Sequence, residues 1–109
     1  MKLMTKELEA QLPSLYANEE LGNDAEALVK YFTPDADWTW YATEYNPETK
    51  QFFGLVDGFE LELGYFNLEE LENLRGPFGL PVERDLYWKP TPLKNLLKPT
   101  PLMSLAGTC

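Results

Sequence analysis

Hydrophobic and polar positions alternate most regularly from Asp37 to Tyr45, in the run DWTWYATEY. A period of two places successive side chains on opposite faces of a strand. Trp38, Trp40 and Ala42 therefore share one face, and Thr39, Tyr41, Thr43 and Tyr45 share the other. Asn46-Pro47-Glu48-Thr49-Lys50 has turn composition, and Gln51 to Val56 (QFFGLV) returns as the partner strand. Asp57-Gly58 reads as a second turn or a bulge. Phe59, Leu61 and Leu63 then alternate with Glu60 and Glu62, which predicts a further strand with both glutamates on its solvent face.

The flanking segments follow other rules. Thr5 is placed to cap a short helix over residues 6–12, with Leu8 and Leu12 on one face and Pro13 ending it. Residues 13–26 read as loop, broken at Asn18 and at Gly22-Asn23-Asp24. Ala27 to Thr33 (ALVKYFT) predicts a strand closed by Pro34-Asp35. Asn67 caps a second helix in a capping-box arrangement with Glu70, with Leu68, Leu71 and Leu74 as its buried stripe and Gly76-Pro77 as its stop. GPFGLP (76–81) is a rigid loop, Val82 to Trp88 a last strand, and Leu93 to Leu97 a short helical turn after Pro90-Thr91-Pro92. Lys89-Pro90-Thr91-Pro92-Leu93 recurs as Lys98-Pro99-Thr100-Pro101-Leu102. Two short copies do not make a solenoid; local duplication and chance both explain them.

Together these elements predict an α+β fold: an antiparallel sheet of about four or five strands, with two or three short helices packed on one face. Residues 1–97 form one globular domain, and 98–109 form a loosely held tail. The 109-residue length suits a single core, and 15 Phe, Tyr and Trp residues supply its bulk.

Composition then removes most chemistry. There is no histidine, so a nucleophile triad lacks its usual base. The one cysteine, Cys109, leaves no intramolecular disulfide, which fits a reducing cytoplasm, and no zinc site. No glycine loop followed by Lys and Ser/Thr provides a phosphate cradle. The N-terminal lysines precede no long apolar stretch, so no signal peptide is expected, and no apolar run nears the ~20 residues of a membrane span. Paired carboxylates remain: Asp35 with Asp37, or Asp57 with Glu60, as oxygen ligands for Mg²⁺ or Ca²⁺ or as an acid–base pair. The plainer reading makes them solvated turn and strand residues. No cofactor is implied.

Charge changes the picture more. Residues 19–72 hold fourteen acids against Lys30 and Lys50, while residues 73–109 carry a small positive excess, within a total of −9. Nucleic acid would be repelled by the acidic segment, and a basic protein would be drawn to it. The candidate partner-binding residues are Asp35, Asp37, Glu44, Asp57, Glu60 and Glu62. Tyr41 and Tyr45 form an alternative aromatic surface on the opposite face of the Trp38 strand, unless a helix covers it.

Four strings carry a wider resemblance: LMTKELEAQLPSLYANEELG (3–22), VKYFTPDADWTWYATEYN (29–46), FFGLVDGFELELGYFNLEELENLRGPFGLPVERDLYW (52–88) and KPTPL (89–93). Over roughly residues 1–96 the chain resembles a domain-of-unknown-function family of small proteins carried on plasmids, phages and integrated mobile elements. The family supplies no catalytic residues. The resemblance implies a mobile-element accessory protein that binds and inhibits a basic host-defence protein, a CRISPR effector or restriction enzyme. Acids on one strand face, roughly 6–7 Å apart, would imitate a nucleic-acid backbone in such an enzyme's basic channel. An adaptor for plasmid transfer or replication, and a small carboxylate enzyme or divalent-metal binder, are the alternatives.

Overall fold

The computed structural model describes residues 2–97. Helix α1 spans Lys6–Gln11 and is capped as the sequence predicts, Thr5 Oγ1 accepting the Leu8 N–H at 3.1 Å. A 3-10 segment follows at Glu19–Asp24, where a loop was expected; Gly22 breaks it at φ 53°. Strands β1 (Glu26–Ala27), β2 (Val29–Phe32), β3 (Thr39–Asn46), β4 (Gln51–Asp57) and β5 (Leu61–Asn67) come next. Helix α2 (Leu68–Asn73), β6 (Glu83–Arg84), β7 (Thr91–Pro92) and α3 (Leu93–Leu96) complete the described chain.

Five of the strands form one antiparallel sheet in the order β5-β4-β3-β2-β6, and β1 pairs separately with β7. The α+β class and the antiparallel sheet agree with the sequence reading. The helices, however, divide between the two faces. One face packs Val29, Tyr31, Trp40, Ala42, Tyr45 and Phe52 beneath Leu12, just past α1, and beneath Leu68 and Leu71 of α2. The other packs Leu55 with Ala27 of β1 and Leu93 of α3.

Phe52 anchors the larger core. Its ring lies 5.6 Å from Tyr31, 4.6 Å from Tyr45 and 5.1 Å from Phe66. The Tyr31 hydroxyl satisfies itself inside this core by donating to the Leu3 carbonyl at 2.6 Å, which ties the N-terminal segment to the sheet.

The β3–β4 hairpin departs from plain alternation at one point. Register runs Thr39↔Asp57 through Ala42↔Gly54, then resumes at Glu44↔Phe53 and Tyr45↔Phe52. Thr43 is thus an extra residue in β3, a bulge. Its hydroxyl donates to the Phe53 carbonyl at 3.1 Å. A bulge reverses the faces of everything beyond it. Tyr45 therefore joins the Trp40 and Ala42 face, and Glu44 takes the Tyr41 face. Gly54 sits opposite the bulge because β3 approaches so closely that a Cβ would overlap the Tyr41 carbonyl oxygen.

Other differences have local causes. The Ala27–Thr33 run is split at Leu28, where Ala27 turns to the α3 face while Val29 and Tyr31 face α2. The expected Val82–Trp88 strand shrinks to two residues because Asp85 Oδ1 accepts the Tyr87 N–H at 2.9 Å and turns the chain. That turn folds Trp88 back onto Tyr41, with ring centroids 5.4 Å apart, and lets its indole N–H donate to Ala27 O at 2.9 Å. Asn67 caps α2 through the Glu69 N–H at 2.8 Å. Leu74, expected in the buried stripe, is its exposed C-cap. The repeated KPTPL and the 98–109 tail lie outside the described residues.

Gly54→Ala will destabilise the domain by more than the roughly 1 kcal/mol typical of glycine propensity effects, because backbone must move; urea unfolding measures this. Burial holds the Tyr31 phenol well above its usual range. A raised acid is protonated in the fold and ionised in the unfolded chain, so stability is whole below about pH 10 and falls above it. Tyr31→Phe will flatten that alkaline decline in thermal melts between neutral and alkaline pH, at the cost of the Leu3 hydrogen bond.

Candidate functional site

Three connections converge at the end of the sheet where β2 finishes, β3 starts and β4 finishes. Thr33 and Trp38 close the β2–β3 turn, with the Thr33 N–H on Trp38 O at 3.0 Å and the Trp38 N–H on Thr33 Oγ1 at 3.1 Å. The turn projects Asp35 toward the 76–80 loop. Asp35 Oδ2 accepts the N–H groups of Phe78 at 2.9 Å and Leu80 at 3.3 Å. Its Oδ1 is buried with no hydrogen-bond partner among the described residues. Gly76 passes so close beneath the carboxylate that a Cβ would overlap it. The loop also bonds to itself, Gly76 N–H to Leu80 O and Gly79 N–H to Gly76 O, both at 2.9 Å, and Gly79 takes φ 84°. GPFGLP is therefore the rigid loop its sequence predicts, and its tip carries Phe78 with 84% of its surface exposed.

The third connection, between β4 and β5, lies against Trp38. Gly58 runs along the indole with no room for a Cβ. Phe59 packs edge-on to the same indole at 5.3 Å yet remains 94% exposed. Trp38 in turn stacks on Trp40 at 6.0 Å. Two uncovered phenylalanines are thus mounted on one anchored tryptophan and one carboxylate-braced loop. Asp37 and Glu60 are exposed on these same connections, and Asp57, half-buried, ends β4 opposite Thr39.

Of the acids singled out in the sequence, Asp37, Asp57 and Glu60 lie on or beside the connections at this end. Asp35 is present but committed to the loop. Glu62 lies farther along β5, opposite Val56. Glu60 precedes β5, so Glu60 and Glu62 do not form a row of carboxylates on one strand face, as had been expected. Leu61 and Leu63, expected opposite the solvent face, are exposed along the edge strand together with Tyr65, because α3 and Trp88 reach only as far as β4 and β3.

The remaining expectations are corrected by burial. Tyr45 is 3% exposed within the large core, because the bulge turned it inward. Glu44 is 5% exposed on the other side. Tyr41 lies under Trp88, and the Lys30 ammonium sits over both rings, 6.0 and 5.6 Å from their centroids, while pairing with Asp85 at 3.8 Å. Burial first, then the Asp57 charge, raises the Tyr41 phenol above its ordinary value. Tyr41 and Tyr45 therefore form no shared aromatic surface. Among the described residues no three acids gather as metal ligands, and no helix is long and apolar enough to cross a membrane.

Phe59 and Phe78 were not read from the sequence as surface residues. The available signal was their position: each follows a turn pair, Asp57-Gly58 and Gly76-Pro77, where a strand or helix has ended.

The chain belongs to a family described as proteins of unknown function, DUF2958, whose family model matches residues 3–98. Comparison with curated proteins gave no match, and comparison with solved structures gave none.

Asp35→Ala will release the 76–80 loop by removing the acceptor of two N–H groups. The expected cost is about 1–3 kcal/mol, read as loss of amide-exchange protection at Phe78 and Leu80 with core protection kept at Phe52 and Leu55.

Proposed function

We propose that this DUF2958 protein is a non-enzymatic interaction module that docks, through the Phe59–Phe78 end of its sheet, onto a basic protein surface. The observation that carries the reading is the pairing of two rigidly held, almost fully exposed phenylalanines with Asp37, Asp57 and Glu60 on neighbouring connections. Exposed aromatics of this kind serve as anchors, filling pockets on a partner. Surrounding carboxylates speed encounter with a positively charged partner and select against acidic ones. The preorganised loops keep the ordering cost of binding low.

The partner class that fits is a nucleic-acid-binding enzyme of host defence, a CRISPR effector or restriction enzyme, because its basic channel complements this end in charge. The mobile-element setting implied by the sequence resemblance supports the same choice. Inhibition would follow from occupying the channel mouth with aromatic anchors and a loop-borne acidic cluster, without a continuous imitation of a phosphate backbone.

Expression in a host with an active restriction or CRISPR system is the test. The wild-type chain should protect incoming DNA, and Asp37→Lys with Glu60→Lys should abolish protection. Phe59→Ala with Phe78→Ala should abolish it equally. Glu69→Lys with Glu70→Lys makes the same charge change on α2 and should leave protection intact. No protection in any such host, or equal loss from both lysine pairs, rejects the proposal.

A further inference from the structure

A second feature lies at the opposite end of the sheet, beyond the β3 bulge. A cavity of about 280 Å³ opens there between β3–β5 and the 16–25 segment, lined by Tyr16, Glu44, Phe53, Leu63 and Tyr65 among others. We propose that this cavity binds an organic cation through an alkylammonium head.

The argument begins with Glu44. The bulge directs its side chain into the cavity, where the residue is 5% exposed, and Tyr16 donates its backbone N–H to Oε1. Among the described residues, the lysine ion pairs Lys30–Asp85, Lys50–Glu69 and Lys94–Asp24 do not include Glu44. A buried carboxylate outside the lysine pairs of the described residues favours a cationic occupant over an anionic one.

The walls favour the same chemistry. Phe53 and Tyr65 meet edge to face at 5.1 Å, and the Tyr65 hydroxyl reaches the Tyr16 hydroxyl at 3.3 Å. Aromatic rings around a carboxylate offer their negative faces to an ammonium group. Tyr16 holds φ 70°, a backbone region an aromatic residue seldom occupies, and it is fixed there by the Glu44 bond. The volume falls just below the roughly 300–1,000 Å³ of small-molecule sites. It suits a single alkylammonium chain, whether a free amine or a lysine side chain, and excludes a nucleotide. Nothing in this inference depends on the Phe59–Phe78 docking surface.

Titration of the isotope-labelled chain by NMR at constant ionic strength tests it. n-Butylammonium chloride should give saturable shifts at the amides of Tyr16, Glu44, Phe53 and Tyr65. 1-Butanol, its neutral counterpart, should bind at least about tenfold more weakly, the scale of a lost charge-assisted contact. Glu44→Gln should weaken butylammonium binding by a similar factor. Tyr65→Leu, at an exposed edge position, should weaken it several-fold and carries the test if Glu44→Gln does not fold. An acetylated and amidated lysine decides the source: binding equal to butylammonium assigns a protein side chain, and binding of the free amine alone assigns a small molecule. Absence of saturation, equal binding of 1-butanol, or affinity unchanged in both variants overturns the proposal.

Discussion

The contact between Gly54 and the Tyr41 carbonyl governs the centre of this fold. Two antiparallel strands can approach that closely only where one of them lacks a side chain. At that point β3 carries one residue more than β4, and Thr43 is held in the bulge by its bond to the Phe53 carbonyl. Past it, Tyr45 enters the core around Phe52 and Glu44 leaves the row of core-facing residues. A strictly alternating β3 would put a carboxylate among Phe52, Leu68 and Leu71 and a tyrosine in the cavity. The extra residue therefore keeps the large core apolar and charges the small cavity in one step.

The two faces of the sheet are stabilised differently. The α2 face rests on aromatic packing around Phe52 and on the Tyr31–Leu3 bond, which brings the first residues of the chain into the core. The α3 face is a thinner layer of Ala27, Leu55 and Leu93, sealed by Trp88 and Tyr41 with the Lys30 ammonium above them. The basic C-terminal third supplies Lys94, which meets Asp24 at 2.9 Å. Part of the uneven charge distribution is thus spent inside the molecule. Asp37, Asp57 and Glu60 take no part in the three lysine pairs, Lys30–Asp85, Lys50–Glu69 and Lys94–Asp24.

Much of this architecture was legible in the sequence. The β3–β4 hairpin, the Thr5 and Asn67 caps and the rigid GPFGLP loop follow from local rules, since turn and cap chemistry involves residues a few positions apart. The bulge was not legible, because nothing within DWTWYATEY distinguishes it from an ordinary alternating strand; its cause is Gly54, twelve residues after Ala42. For the same reason plain alternation puts Tyr45 on the Tyr41 face, whereas it enters the core. Trp88 was read as the end of a strand, but it folds back onto Tyr41, a contact 47 positions away in sequence. Acidity pointed to one end of the molecule only in part. Asp35 braces a loop, and the phenylalanines beside the acids were hidden in what looked like strand and turn.

The uncovered side of β5 has a consequence of its own. Leu61, Leu63 and Tyr65 stand on β5, which ends the sheet order among the described residues. Such an edge is a template for joining a second chain. Glu62 stands on that strand and Glu60 immediately before it, so two copies approaching there bring like charges together. Glu60, proposed above to greet a basic partner, thereby also stands as a barrier to self-association through this edge.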